Sequence, residues 1–249
     1  MWLANRLLAL AGQDRTVRPG EALALFGIAL VAAALFAFIA IADAVFEGET
    51  QGFDRALMLA LRDPANPANP IGPRWLREVA RDITALGGTF VLTFTTLALA
   101  GFLAMSRQHA AALLVLVAVG GGTLISTLLK HGFERARPDI VPHAMDAYSA
   151  SFPSGHSMLS AVTWLTLGAL LMRIEPRKRV KSYVLALAVA TTLMVGASRV
   201  YLGVHWPTDV LAGWSLGAGW ALLCWIVALW LQQRGQVEAA PIPPEDEAG

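Results

Sequence analysis

The sequence predicts an all-α fold, a bundle of six transmembrane helices with additional amphipathic helices between the first and second spans. Three observations predict it. Of 249 residues, 56% are hydrophobic and 15% charged, against about 25% charged in ordinary globular domains. Charge is missing altogether from six stretches: Ala22–Ala42, Ile83–Ser106, Ala110–Leu129, Ser157–Met172, Ser182–Ser198 and Val210–Gln233. Those stretches also lack the polar face at helical spacing that buried helices of a soluble bundle would keep. The same composition excludes disorder. With 19 basic and 18 acidic residues, the chain offers nucleic acid no electrostatic footprint. Its single cysteine, Cys224, excludes a disulfide framework and a cysteine metal site, and fits a small apolar packing residue.

Each element follows from these runs. The first span exceeds the 7–15 residues of a signal-peptide apolar region and has no clean small-residue cleavage site after it, so it is expected to stay. In the connection Asp43–Asp82, Phe53, Leu57 and Leu61 share one helical stripe and Leu76, Val79 and Ile83 another, which reads as helices lying in the headgroup layer. Pro64–Pro70 reads as a stiff extended loop. Four of the runs reach the roughly 20 residues that cross a hydrocarbon core. The fourth and fifth are shorter, and span if Arg173 and Lys181 snorkel. The loop Arg173–Lys181 holds five basic residues and one acid, the pattern of a cytoplasmic loop; both termini are then inside. Gly213-x3-Gly217 predicts close helix packing, and the tryptophans at 206, 214, 220, 225 and 230 partly suit interfacial and lipid-facing positions. Residues 237–249, with three prolines and four acids, read as a disordered tail after a single membrane domain over 1–236.

Helices connected in series alternate direction. The end of span three, the start of span four, the end of span five and the start of span six therefore share one face. The unusual polar residues sit at those four places: Lys130, Arg135 and Arg137-Pro138; Pro153-Ser154-Gly155-His156; Ser198-Arg199; and His205 with Asp209. Lys130, Arg137 and Arg199 are three cations beside apolar helices, where charge is costly unless paired or functional. Guanidinium forks match phosphate oxygens, and lysine adds a point charge. Ser154 and Gly155 precede a helix N-terminus, which favours an anion. Two histidines then divide the chemistry, one attacking phosphorus and one protonating the leaving oxygen. Asp209, one turn after His205, is placed to hold the imidazole tautomer. His205 is expected in a loop, outside the packed core. Arg135 is left open between a second phosphate and a pairing with Glu134 or Asp139. His131 and His143 read as structural.

The order Lys130-x6-Arg137-Pro138, Pro153-Ser154-Gly155-His156, Ser198-Arg199-x5-His205-x3-Asp209 resembles the three-part signature of the type-2 phosphatidic-acid phosphatase superfamily, with every motif position filled. The motif-bearing core covers about residues 84–232. The resemblance implies that His205 is the nucleophile forming a phosphohistidine, assisted by Asp209. It implies that His156 is the general acid, and that Lys130, Arg137, Arg199, Ser154 and Gly155 bind the phosphate oxygens. It also implies that no metal or other cofactor is needed.

The expected activity is therefore hydrolysis of a lipid phosphate or diphosphate by an integral enzyme of a bacterial-type inner membrane, with its site on the periplasmic or extracellular side. Undecaprenyl diphosphate, phosphatidylglycerol phosphate and phosphatidic acid are the candidate substrates. A phosphotransferase of the same fold is the alternative. An anion transporter is less well supported, because the six runs offer little polar lining beyond scattered Ser and Thr.

Overall fold

The computed structural model describes residues 19–133, 135–141 and 150–234. The expected tail over 237–249, and His143, lie outside the described residues. Helix α1 is Pro19–Phe46 and α2 is Gln51–Ala60. A two-stranded hairpin follows, β1 Arg62–Asp63 and β2 Asn66–Pro70. Then come α3 Arg74–Ala85, α4 Thr89–Met105, α5 His109–Phe133, α6 Gly155–Ile174, α7 Lys178–Tyr201 and α8 Pro207–Gln233.

Five of these helices, α1, α5, α6, α7 and α8, are long and apolar enough to cross a membrane. The sixth candidate span is a bent pair: α3 and α4 together are long and apolar enough, and they meet at 41°. The uncharged run Ile83–Ser106 thus begins inside α3, passes the break at residues 86–88 and continues as α4. At the break the indole of Trp164 donates to the Leu86 carbonyl at 3.1 Å, occupying an acceptor that a continuous helix would use.

Without water in the hydrocarbon, helix association relies on close packing and hydrogen bonds rather than on hiding apolar surface. Central α6 shows this. It packs against α5, α7 and α8, and its buried face is mostly small: Ser157, Ser160, Ala161, Thr163, Thr166 and Gly168. On α8 a Cβ at Gly213 would stand 2.7 Å from the Ser154 carbonyl, and one at Gly217 would overlap the Met158 carbonyl. This is the close packing expected of Gly213-x3-Gly217. Large apolar side chains instead point outward, among them Phe26, Phe36, Phe94 and Leu128.

Two expectations need refining. The Pro64–Pro70 segment is extended, as expected, but most of it is a paired strand rather than a loop. Asp63 Oδ1 accepts from the Ala65 amide at 2.9 Å, turning the chain so that β2 runs antiparallel to β1, with Arg62 opposite Pro70. The tryptophans are less peripheral than membrane averages suggest. Trp214 donates to the Thr192 carbonyl at 3.1 Å and Trp220 to that of Ala118 at 2.8 Å, so these indoles tie neighbouring spans together. Gly196 leaves the space that the Trp214 ring fills.

The amphipathic connection is helical, as its stripes predict. In α2, Phe53 and Leu57 face outward while Asp54 and Met58 are buried. In α3, Ala80 and Thr84 turn inward.

Candidate active site

The site lies at the end of the bundle where α5 ends, α6 begins, α7 ends and α8 begins. The turn from α7 to α8 sets its geometry. The amide of Gly203 donates to the Val200 carbonyl at 3.0 Å and that of Val204 to the Arg199 carbonyl at 3.2 Å, with Gly203 at φ +79°. This paired closure is a Schellman motif, which needs the left-handed residue that glycine supplies without strain. It accounts for the spacing between Arg199 and His205: the helix must close before the chain can deliver the imidazole. Pro207 then opens α8, where its fixed φ and absent N–H suit the first turn.

His205 is in this loop, as expected, but it is not outside the core. Its side chain is 1% exposed, and Asp209 is fully buried. His205 Nδ1 stands 3.3 Å from Asp209 Oδ2. The same oxygen accepts from the Trp206 amide at 2.9 Å and from the Ser151 hydroxyl. An ionised carboxylate only accepts, so Nδ1 carries the proton and Nε2 keeps its lone pair. Facing that nitrogen is Arg137, with Nη1 3.2 Å from Nε2 and donating to the Val204 carbonyl at 2.6 Å. Burial pushes the His205 pKa down to about 4; the Asp209 hydrogen bond and charge oppose this, and Arg199 and Arg137 reinforce it. The ring is therefore neutral at ordinary pH.

The other candidate residues converge on the same place. Arg199 is 3% exposed and donates to Thr84 Oγ1 of α3 at 3.1 Å. Lys130, on the last turn of α5, lies within Coulombic reach of Arg137, Arg199 and Asp209. His156 lies within reach of Arg199, His205, Lys130 and Arg137. A Cβ on Gly155 would stand 3.4 Å from Lys130 Nζ, so the bare backbone at the start of α6 lets the ammonium approach. Ser154 caps α6, its Oγ accepting from the Ser157 amide at 3.4 Å and the Ser157 hydroxyl at 2.9 Å. Its own amide donates to the Asp209 carbonyl at 3.0 Å, which joins the start of α6 to the start of α8.

Sequence reasoning missed several groups. Arg135, left open there, donates from Nη1 to Asp209 Oδ1 at 2.6 Å and from Nη2 to Asp54 Oδ2 at 2.8 Å. Asp54 on α2 was not singled out, nor were Ser151 and Thr208. Residue Ser151 does stand just before the Pro153-Ser154-Gly155-His156 motif, which is the only local hint of its role.

Three cations, a helix N-terminus and a neutral imidazole whose Nε2 keeps a lone pair make a place where a phosphoryl group can be bound and attacked. The PAP2 superfamily profile matches residues 111–233. Phosphatidylglycerophosphatase B of Bacillus subtilis is 37% identical over 185 residues, spanning 72% of this chain and 85% of that protein. A lipid A 1-phosphatase of Rhizobium johnstonii is 31% identical over 185 residues, 64% of this chain and 72% of the relative. The crystal structure of a transmembrane PAP2-type phosphatidylglycerolphosphate phosphatase from Bacillus subtilis superposes with a TM-score of 0.69 at 31% identity, covering 82% of this chain and 96% of that one.

Proposed function

The chain belongs to the PAP2 superfamily of membrane lipid phosphatases, and on that premise we propose that it hydrolyses a lipid phosphate without a metal, through a phosphohistidine on His205. The observation that carries this reading is the His205 ring itself: Nδ1 tied to Asp209 and Nε2 open towards a cationic face.

Nε2 attacks phosphorus in line with the leaving oxygen, forming the N–P bond as the P–O bond breaks. The imidazolium so formed is stabilised by Asp209. His156 gives its proton to the leaving oxygen, then takes one from the water that cleaves the N–P bond, so the enzyme returns to its starting state. Lys130, Arg137 and Arg199 hold the equatorial oxygens, the charge-neutralising role that metal ions fill in other phosphoryl-transfer sites. Ser154 and the Gly155 backbone at the α6 N-terminus complete the cradle.

Phosphatidylglycerol phosphate is the leading substrate, because a curated relative and a solved structure that both align over most of their length act on it by name. Undecaprenyl diphosphate and phosphatidic acid follow. The catalytic end faces the outer side of the cytoplasmic membrane, with the basic loop Arg173–Lys181 inside.

The test is phosphate release by the purified protein in mixed micelles across these three lipids, with a metal chelator present. Turnover should survive chelation and vanish in His205→Gln, which keeps bulk in a buried position. Chelator-sensitive turnover would overturn the metal-free reading, and a fully active His205→Gln the phosphohistidine.

A further inference from the structure

Asp209 uses one oxygen, Oδ2, for His205, Trp206 and Ser151. Its other oxygen is held by Arg135 at 2.6 Å. Arg135 reaches in turn to Asp54 at 2.8 Å and Thr50 at 3.4 Å on the α2 side, and to Thr208 Oγ1 at 2.9 Å. Asp54 is 1% exposed and binds the start of α8 twice, accepting from the Thr208 amide at 3.0 Å and its hydroxyl at 2.7 Å. The array is thus carboxylate, guanidinium, carboxylate, imidazole. Its outermost member comes from α2, outside residues 111–233, where the family profile matches.

A buried chain of charges is costly unless every member is satisfied, and here the pairing also resolves a conflict. Asp209 lies within Coulombic reach of Lys130 and Arg137, two cations of the proposed phosphate seat. A carboxylate free to turn would be drawn to them, leaving His205 and occupying the place of the substrate's charge. Arg135 offers the competing fork on the opposite side, and Asp54 keeps that fork in place.

We propose that Arg135 and Asp54 are positioning residues: Asp54 on α2 fixes Arg135, and Arg135 holds Asp209 against His205 and away from the phosphate-binding cations. This rests on the phosphohistidine reading above. Neither residue touches substrate. The expected cost of losing the alignment is roughly tenfold to a hundredfold in rate, the scale on which small misplacements act.

The experiment compares wild type, Arg135→Gln, Arg135→Lys, Asp54→Asn and the double variant Asp54→Asn/Arg135→Gln in mixed micelles. Phosphatidic acid serves as a monophosphate and farnesyl diphosphate as a diphosphate, with melting temperature measured alongside. Asp54→Asn keeps an oxygen for the Thr208 amide but puts an NH2 donor in place of Oδ2, the acceptor for Arg135 and the Thr208 hydroxyl. In Arg135→Gln, kcat should fall about tenfold to a hundredfold on both substrates, with KM within about threefold. Arg135→Lys should recover part of the loss. The double variant should lose little more than Arg135→Gln alone, because the two act as one unit.

A pH profile supplies a readout that folding does not move. His205 is faced by Asp209 of α8, Arg199 of α7, His156 of α6 and Arg137 of the segment after α5, while Lys130 of α5 and Arg135 act on Asp209. Losing Arg135 frees Asp209 to leave His205 and removes the hydrogen bond and charge that raise the imidazole pKa, so the acid limb of kcat/KM should move downward in Arg135→Gln and return in Arg135→Lys. An unchanged kcat and limb in Arg135→Gln overturns the proposal. So does a defect confined to farnesyl diphosphate and expressed in KM, which would make Arg135 a ligand for the second phosphate. If the glutamine variant does not fold, Arg135→Lys and Asp54→Asn decide: wild-type kcat and limb in both overturn the idea. Activity surviving in His205→Gln would instead strike the phosphohistidine reading, which separates the two failures.

Discussion

Arg137 and His205 meet face to face, Nη1 of the guanidinium lying 3.2 Å from Nε2 of the ring. The cation therefore rests where an incoming phosphoryl oxygen would bind, beside the nitrogen that would attack. Its second bond, to the Val204 carbonyl at 2.6 Å, anchors it to the loop that carries the imidazole. Arg137→Lys keeps the charge but cannot reach both partners from one ammonium with the same fork geometry. The expected loss in kcat/KM is about a hundredfold or more, the scale for removing an oriented donor at an anionic transition state. Steady-state kinetics on phosphatidic acid check this, and a loss under threefold would show that charge alone suffices.

The titration of His205 should be unusual. Burial is the largest cause of its lowered pKa, down to about 4, so the ring should stay neutral well below the ordinary value near 6.5. The sign for stability follows: between about 6.5 and about 4 the unfolded chain binds a proton that the folded chain refuses, so acidification across that window should destabilise the fold. Histidine-selective NMR, assigned with His205→Gln, measures it. A midpoint at or above 6.5 contradicts the assignment.

His156 should matter most where the leaving group is poor. His156→Ala is expected to lose several orders of magnitude on alkyl phosphates, of which proton donation supplies about 10²–10⁴. On an activated aryl phosphate, whose leaving oxygen needs no proton, part of the rate should return. Such recovery should be absent in His205→Gln. Equal loss on both substrates would take proton donation away from His156.

Sidedness can be read with single cysteines on a Cys224→Ser background. Exposed Ala68 of the hairpin belongs to the catalytic end and exposed Ser182 to the start of α7 at the other. A membrane-impermeant thiol reagent on intact cells should label Ala68→Cys and spare Ser182→Cys. The reverse pattern would place the catalytic end in the cytoplasm.

Packing between α6 and α8 predicts one more effect. A Cβ at Gly213 would sit 2.7 Å from the Ser154 carbonyl and 3.0 Å from the Ser157 Cβ, so Gly213→Ala must push the start of α6 away from α8. Overpacking of this kind costs about 1–3 kcal/mol, and the displaced backbone belongs to the proposed phosphate cradle. A lower melting temperature should therefore come with lower kcat. Gly120→Ala, at a position with nothing within 4 Å of the added atom, should show neither.

Much of this architecture is legible in the sequence because charge and hydrocarbon exclude one another. Six uncharged runs mark five long apolar helices and one bent pair, and the motif residues stand at their ends, where parity brings Lys130, His156, Arg199 and His205 to one side. The bend between α3 and α4 is hidden, since the uncharged run passes through it unbroken. Asp54 is hidden for a different reason. It looks like the solvated side of an amphipathic helix with Phe53 and Leu57, and the partner that explains its burial is 81 positions away. Periodicity reports which face is apolar, but a buried ion pair between two loops and a short helix leaves no periodic trace. His205 shows the converse: its loop is foreseeable, its enclosure is not, because its neighbours Ser151 and Arg137 arrive only on folding.

The grip of Thr84 on Arg199 bears on where the working unit begins. All eight candidate residues, Lys130 through Asp209, fall within 111–233, the part the superfamily profile recognises. Two of the hands that hold them do not: Thr84 steadies Arg199 from α3, and Asp54 reaches the start of α8 from α2. An excised fragment opening at α5 would carry the whole chemical alphabet with its spelling loosened. Exchanging α2 and α3 between relatives would alter a catalyst whose every signature residue had been left untouched.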